Sequence, residues 1–155
     1  MLLSAAVDIL EEIRRVLDIE IEGLQSVRSN LNSNFARAVE VIASSKRHVY
    51  VTGAGKSGII ATKIAATLRS TGTAATFLHP SEALHGDVGM VGKDDVVLSI
   101  GKSGETSELN ALLRVLKKSG STIIAITSSP ESSMAALSDL VLEVKIMETP
   151  SQSRS

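Results

Sequence analysis

The sequence predicts a doubly wound α/β fold, built on a five-stranded, mostly parallel sheet with helices ahead of it. Three observations carry that prediction. Short β-rich runs recur from residue 48 onward, helical stretches of ordinary length separate them, and a glycine-rich turn, G-x-G-x-x-G, joins the first run to the first helix. The 155 residues fit a single core-burying domain, and 43% hydrophobic against 21% charged residues is the balance of a folded chain.

The first element is a helix. Leu3, Val7, Leu10, Ile13, Leu17, Ile21 and Leu24 recur at steps of three and four with acids and arginines between them, which predicts an amphipathic helix from residue 3 to about 28. An apolar stripe ahead of a core needs a partner surface. Residues 1–34 are therefore expected to form an oligomerisation helix, in a homo-oligomer such as a dimer or tetramer. Ser29, Asn30, Asn32, Ser33 and Asn34 break this helix, and "FARAVEVIASS" starts a second one with Asn34 as its N-cap.

The core domain is expected over residues 35–148. Its strands are "HVYVT" (48–52), "AATFL" (74–78), "DVVLSI" (95–100), "STIIAIT" (121–127) and "LVLEVKI" (140–146), with helices over about 57–70, 106–119 and 131–138. This alternation makes right-handed βαβ crossovers and puts helices on both faces of the sheet. The last residues, 149–155, are polar and are expected to be disordered.

Composition excludes several function classes. Sixteen Lys and Arg against seventeen Asp and Glu leave a net charge of -1, and aromatics make up only 2%, so neither the basic field nor the stacking platform of a nucleic-acid binder is present. The absence of cysteine removes thiolate nucleophiles and Cys-based zinc sites. His79 and His85 lie near Glu82 and Asp87 but match no zinc spacing, so no metal is expected. No apolar stretch is long enough to span a membrane, and the N-terminus lacks a basic region ahead of its apolar residues. A cytoplasmic location is the expectation.

In a doubly wound sheet the ligand sits beyond the carboxyl ends of the strands. Three polar loops converge there: "GAGKSG", "HPSEALHGD" and "GKSGETSE". Gly55, Lys56 and Ser57 end like a P-loop, but Tyr50 stands where its first glycine belongs. Gly53, Gly55 and Gly58 match the dinucleotide fingerprint, yet the second strand ends "TFLHP" with no acid for the ribose until Glu82. A sugar phosphate explains more. The hydroxyls of Ser103 and Thr106 and the free N–H groups at the start of the third core helix suit a phosphate, and Ser57 adds another hydroxyl.

Together "GAGKSG", "HPSEALHGDVGMV", "SGETSEL" and "SSPESSMAALSDLVLEV", collinear over about residues 35–146, resemble the sugar isomerase (SIS) domain with its flavodoxin-like fold, and within it the bacterial arabinose-5-phosphate isomerases. The resemblance implies interconversion of D-arabinose 5-phosphate and D-ribulose 5-phosphate, feeding Kdo synthesis for lipopolysaccharide or capsule. It implies no cofactor and a tetramer. The family's catalytic lysine, histidine and acid fall on Lys56, His85 and Glu108. The isomerisation passes through an enediol and needs a base, a proton donor and a charge near the developing oxyanion. Glu108 or His85 serves as base, while Lys56 steadies the enediolate; Asp87 either orients His85 or closes a turn. Gly55, Ser57, His79, Ser103, Gly104, Glu105 and Thr106 are the candidate substrate-binding residues.

The chain departs from the family pattern in two places. Gly101 replaces a serine at the head of the phosphate loop, with Lys102 added beside it, and the sequence stops before the family's segment beyond the fifth strand and its CBS domains. The alternative reading is therefore a noncatalytic SIS module that binds a phosphosugar or nucleotide-sugar as a regulator.

Overall fold

The computed structural model describes residues 8–145. Two compact units divide them, one containing helix α1 and the other spanning Asn32–Val144. Helix α1 (Ile9–Ser29) starts at Asp8, whose carboxylate accepts from the Leu10 and Glu11 N–H groups. Leu3 and Val7 of the expected stripe lie outside the described residues. The rest of the stripe is exposed: Ile13, Leu17, Ile21 and Leu24 are each half or more open to solvent.

Helix α2 (Ser33–Ser44) is capped by Asn32, not by Asn34. The side chain of Asn32 accepts from the Asn34 N–H, while Asn34, already inside the helix, donates its Nδ2 to the Val141 carbonyl. Of two asparagines able to cap, the one two residues earlier does so because the later one is engaged by the sheet.

The core unit runs β1 (Val49–Gly53), α3 (Lys56–Ser70), β2 (Ala75–Leu78), α4 (Pro80–Leu84), β3 (Val96–Ile100), α5 (Ser107–Ser119), β4 (Thr122–Thr127), α6 (Ser133–Leu137) and β5 (Leu140–Glu143). The strand order is β2-β1-β3-β4-β5 and every pairing is parallel. The sheet is thus all-parallel where the sequence predicted mostly parallel. The expected strand over 140–146 ends at Glu143, and its final residue lies outside the described segment.

Burial follows from this order. β1 and β3 are covered on both faces and read as near-continuous apolar runs. On one face Val49, Val51, Val96, Leu98 and Ile124 pack with Ala38 of α2 and with Ala61 and Ala65 of α3. On the other, Tyr50, Val97, Ile123 and Ala125 meet Leu109, Leu112, Leu113 and Leu116 of α5 and Met134 of α6. That leucine stripe, at helical spacing, is why residues 107–119 form a helix lying flat on the sheet.

One short helix was not expected. Residues 80–84 read as a loop because they are too few to show periodicity, yet Pro80 sits at the first helical position, where its missing N–H costs nothing. Pro80 and Ala83 are buried, so α4 is held by packing and not by propensity.

Candidate functional site

The chain goes from β1 to β2 on one side of β1, then returns to β3 on the other. The gap between the carboxyl ends of β1 and β3 is therefore the switch point, where crossover connections diverge and leave an open crevice. Register aligns these ends, with Gly53 opposite Ile100 and Thr52 opposite Leu78. The β1–α3 turn, the β2–α4 turn and the β3–α5 loop consequently emerge side by side.

The glycine triplet has three separate steric jobs. A Cβ on Gly53 would come within 2.9 Å of the Ser57 backbone, and one on Gly58 within 2.8 Å of the Gly53 carbonyl oxygen. These two let α3 begin hard against the end of β1. Gly55, with φ of +58° and open space around it, makes the turn itself. Gly55 is the N-cap of α3 and supplies no side-chain cap. Lys56 and Ser57 occupy the first turn, and among the described residues their N–H groups find no backbone acceptor. Lys56 is exposed and no salt bridge within the described residues reaches it.

A second set of donors faces the same crevice from the β3–α5 loop. Thr106 is the N-cap of α5 and its hydroxyl makes no cap bond. The N–H groups of Thr106, Ser107, Glu108 and Leu109 have no acceptor among the described residues. Ser103 Oγ accepts from the Glu105 N–H at 3.3 Å, which folds the loop back while leaving the hydroxyl proton free to donate. Two helix N-termini thus flank the switch point, and both favour negative charge.

Glu108 is exposed in the first turn of α5 and accepts from Ser107 Oγ at 3.2 Å. His85 caps the C-terminus of α4, which packs against α5, and its ring is exposed. No hydrogen bond joins His85 to Asp87 among the described residues; Asp87 opens a 3-10 turn, Asp87–Met90. His79 lines a cavity of about 220 Å3 together with Gly53, Gly55, Gly58, Ile59, Thr62 and Phe77. That volume is below the ~300–1,000 Å3 of most ligand pockets, so the cavity takes part of a ligand at most. Phe77 meets the His79 ring edge to face at 6.2 Å. His48 is at the opposite end of the sheet, bonded to Thr76 Oγ1 at 2.7 Å.

Glu105, also expected to bind substrate, is exposed in the β3–α5 loop and hydrogen-bonded within the chain. Both its carboxylate oxygens are engaged by Ser133, one by the backbone N–H at 2.8 Å and the other by Oγ at 2.7 Å. These bonds hold its carboxyl below the ordinary value of 4.5.

Gly104 has φ of +68° and is tied to its neighbours by sterics as well. A Cβ there would lie 2.1 Å from Ser132 Oγ. Gly101 is buried, and a Cβ on it would sit 3.4 Å from Met134 Sδ.

Beneath the crevice lies a polar layer that the sequence did not mark. Thr52, Ser99, Asn110 and Thr127 are buried at the carboxyl ends of the strands and on the facing turn of α5. Asn110 donates Nδ2 to the Gly104 carbonyl at 3.0 Å, while its Oδ1 and Thr52 Oγ1 have no partner among the described residues. The signal available was slight: one asparagine in the leucine stripe "ELNALLRVL". Among the described residues no three potential ligands converge as a metal site.

Residues 42–153 match the SIS domain family. The chain belongs to that family. The SIS assignment agrees with the sheet order, the crevice and its loops. The chain is similar to the Pseudomonas aeruginosa protein named arabinose 5-phosphate isomerase KdsD, with 40% identity over 146 residues, 94% of this chain and 45% of that protein. The Escherichia coli K12 protein of the same name is 50% identical over 133 residues, covering 86% of this chain and 40% of its own length. This SIS chain therefore spans less than half the length of those curated relatives. Among solved structures, the Escherichia coli CFT073 protein in complex with A5P superposes with a TM-score of 0.85 at 44% identity, over 92% of this chain and 76% of that one. The Vibrio vulnificus NanR protein complexed with ManNAc-6P, at 20% identity and a TM-score of 0.78, shares the fold over 91% of this chain and 52% of its own. No described helix is long and apolar enough to cross a membrane.

Proposed function

We propose that this chain is a sugar-phosphate aldose-ketose isomerase that interconverts D-arabinose 5-phosphate and D-ribulose 5-phosphate, the reaction that feeds Kdo and lipopolysaccharide synthesis. One observation carries the reading. The two uncapped helix N-termini at the switch point, α3 with Lys56 and α5 with Glu108, put unpartnered N–H donors, a cation and a carboxylate around one crevice. The likeness to KdsD proteins and to a structure holding A5P supports the substrate.

In this reading the phosphate sits on the β3–α5 loop, bound by the free N–H groups with Ser103, Thr106 and Ser57 hydroxyls. Glu108 and His85 supply base and proton donor. The base takes the proton from C2 of the aldose while O1 is protonated, giving the enediol; a proton then returns to C1 as O2 gives up its own and becomes the ketone. Lys56 balances the charge that grows on the oxygens. His79 and Gly55 line the end of the site.

The N-terminal segment, expected over 1–34 and described from residue 8, serves as the oligomerisation helix of a dimer or tetramer, residues 35–148 form the SIS domain, the tail expected over 149–155 lies outside the described residues, and the protein works in the cytoplasm. The exposed stripe of α1 supports the oligomer.

A second reading, a phosphosugar-binding module without turnover, is favoured by one feature. Lys56, His85 and Glu108 are all exposed, and no hydrogen bond links any two of them among the described residues.

The test is conversion of arabinose 5-phosphate by the purified chain, with Lys56→Ala as the comparison. Turnover that falls about 100-fold or more in the variant supports the isomerase. Turnover untouched by the substitution removes Lys56 from the mechanism. Binding of the sugar phosphate without turnover selects the binding module.

A further inference from the structure

We infer that Glu105 is a positioning residue: with Ser133 it latches the β3–α5 loop to the start of α6, holding the Lys102 and Gly104 carbonyls inward and leaving the N–H groups at the start of α5 free for the crevice. The inference rests on the phosphosugar reading only for the identity of the anion.

Three acceptors of the loop are engaged by β4, α5, α6 and the turn ahead of α6. The Lys102 carbonyl takes three donors: the Ser128 N–H at 3.1 Å, Thr127 Oγ1 at 3.0 Å and Ser128 Oγ at 2.8 Å. The Gly104 carbonyl takes two, the Met134 N–H and Asn110 Nδ2, both at 3.0 Å. The Glu105 carboxylate takes the N–H and Oγ of Ser133. Every one of these bonds has its acceptor in the loop and its donor in the scaffold. The N–H groups of Thr106, Ser107, Glu108 and Leu109 keep no acceptor among the described residues.

That one-sidedness matters for an anion. A peptide loop presents carbonyl oxygens as readily as N–H groups, and an anion is repelled by the former. Fixing the carbonyls inward before binding removes the cost of reorganising the loop when the ligand arrives. Glu105 is the member that needs explaining, because a carboxylate free to swing into a phosphate site would oppose binding. Two donors from one serine, one to each oxygen, hold it away. The adjacent left-handed Gly104 fits the same device, since only a residue without a Cβ clears Ser132.

The latch predicts coupling between residues that do not share a ligand. Binding of inorganic phosphate and of arabinose 5-phosphate is measured by calorimetry on the full chain, alongside amide hydrogen exchange at Ser128 and Met134, with the core amides of Leu112 and Ile124 as reference. Glu105→Ala should weaken both ligands about tenfold, Ser133→Ala less, and the double variant no more than Glu105→Ala alone. Glu105→Gln, whose amide can still accept from the N–H and donate to Oγ, should restore binding. Exchange at Ser128 and Met134 should quicken in Glu105→Ala while the core amides stay protected.

Wild-type-like binding in both alanine variants, or full additivity of the two, would overturn the latch. Failure of the unaltered chain to bind either ligand would instead overturn the phosphosugar reading, and the exchange rates alone would then decide the latch. Unchanged exchange in Glu105→Ala sinks it.

Discussion

Gly104→Ala and Gly120→Ala make a matched pair, because both glycines have positive φ but different surroundings. Gly104 has φ of +68° and Gly120, which closes α5, has φ of +83°. Moving an L side chain into the left-handed region costs about 1–2 kcal/mol in either place. At Gly120 the new Cβ comes within 3.2 Å of Lys93 Cγ, on a flexible chain that can swing away, and is no nearer than 4.0 Å to the Lys93 backbone. At Gly104 it would stand 2.1 Å from Ser132 Oγ and 2.5 Å from Ser132 Cβ, inside a buried corner. Ser132 must move, and with it goes the cap it provides to the Ala135 N–H at 3.3 Å, worth about 1 kcal/mol. The expected cost is therefore about 2–3 kcal/mol for Gly104→Ala against about 1–2 for Gly120→Ala. Urea unfolding at constant slope measures both. A Gly104→Ala midpoint no lower than that of Gly120→Ala would refute the assignment of Ser132 as the obstacle.

Three further outcomes follow from the packing and electrostatics. Leu112 is fully buried between α5 and the sheet, so Leu112→Ala should lose about 2–5 kcal/mol in the same unfolding assay, and a loss under about 1 kcal/mol would contradict that packing. The lowered carboxyl of Glu105 means that the latch contributes stability above the ordinary value of 4.5 and loses it as pH falls through the lower folded value; in a carboxyl NMR titration its midpoint should climb in Ser133→Ala, and an unmoved midpoint counts against the hydrogen bonds as the cause. Placing charge in the exposed stripe of α1, as Ile13→Asp with Leu17→Asp, should convert an oligomer to smaller species in sedimentation, and a wild-type monomer ends that proposal.

The fold was legible because its signals are local. A leucine stripe at 109, 112, 113 and 116 can form only one kind of buried face, and the valine-rich runs at 49–51 and 96–98 are buried on both faces. The glycine spacing around Gly53 and Gly58 announced a strand end pressed against a helix start. What escaped depends on distant partners. The short α4 is built by burial of Pro80 and Ala83, which five residues cannot advertise. The choice of Asn32 over Asn34 as cap turns on a carbonyl 107 positions away in sequence. The engagement of Glu105 by Ser133 spans 28 positions, and in isolation the acid looks like any other in a polar loop.

The same distinction orders the candidate site itself. The proposed anion-binding side is tied to the scaffold: Gly104 and Gly101 are buried, and the carbonyls of Lys102 and Gly104 accept from β4, α5, α6 and the turn ahead of α6. The proposed acid–base side is the reverse, with Lys56, His85 and Glu108 exposed and unlinked. In the proposed reaction a firmly seated phosphate is what aligns the rest of the sugar with these looser groups, so binding energy gained far from C1 and C2 is spent on orientation at the reacting carbons. A site so divided needs its anion cradle to be correct before the chemistry begins. In the proposed reaction this would make Ser128, Ser132 and Ser133, which touch no candidate catalytic residue, as much a determinant of turnover as the lysine at the head of α3.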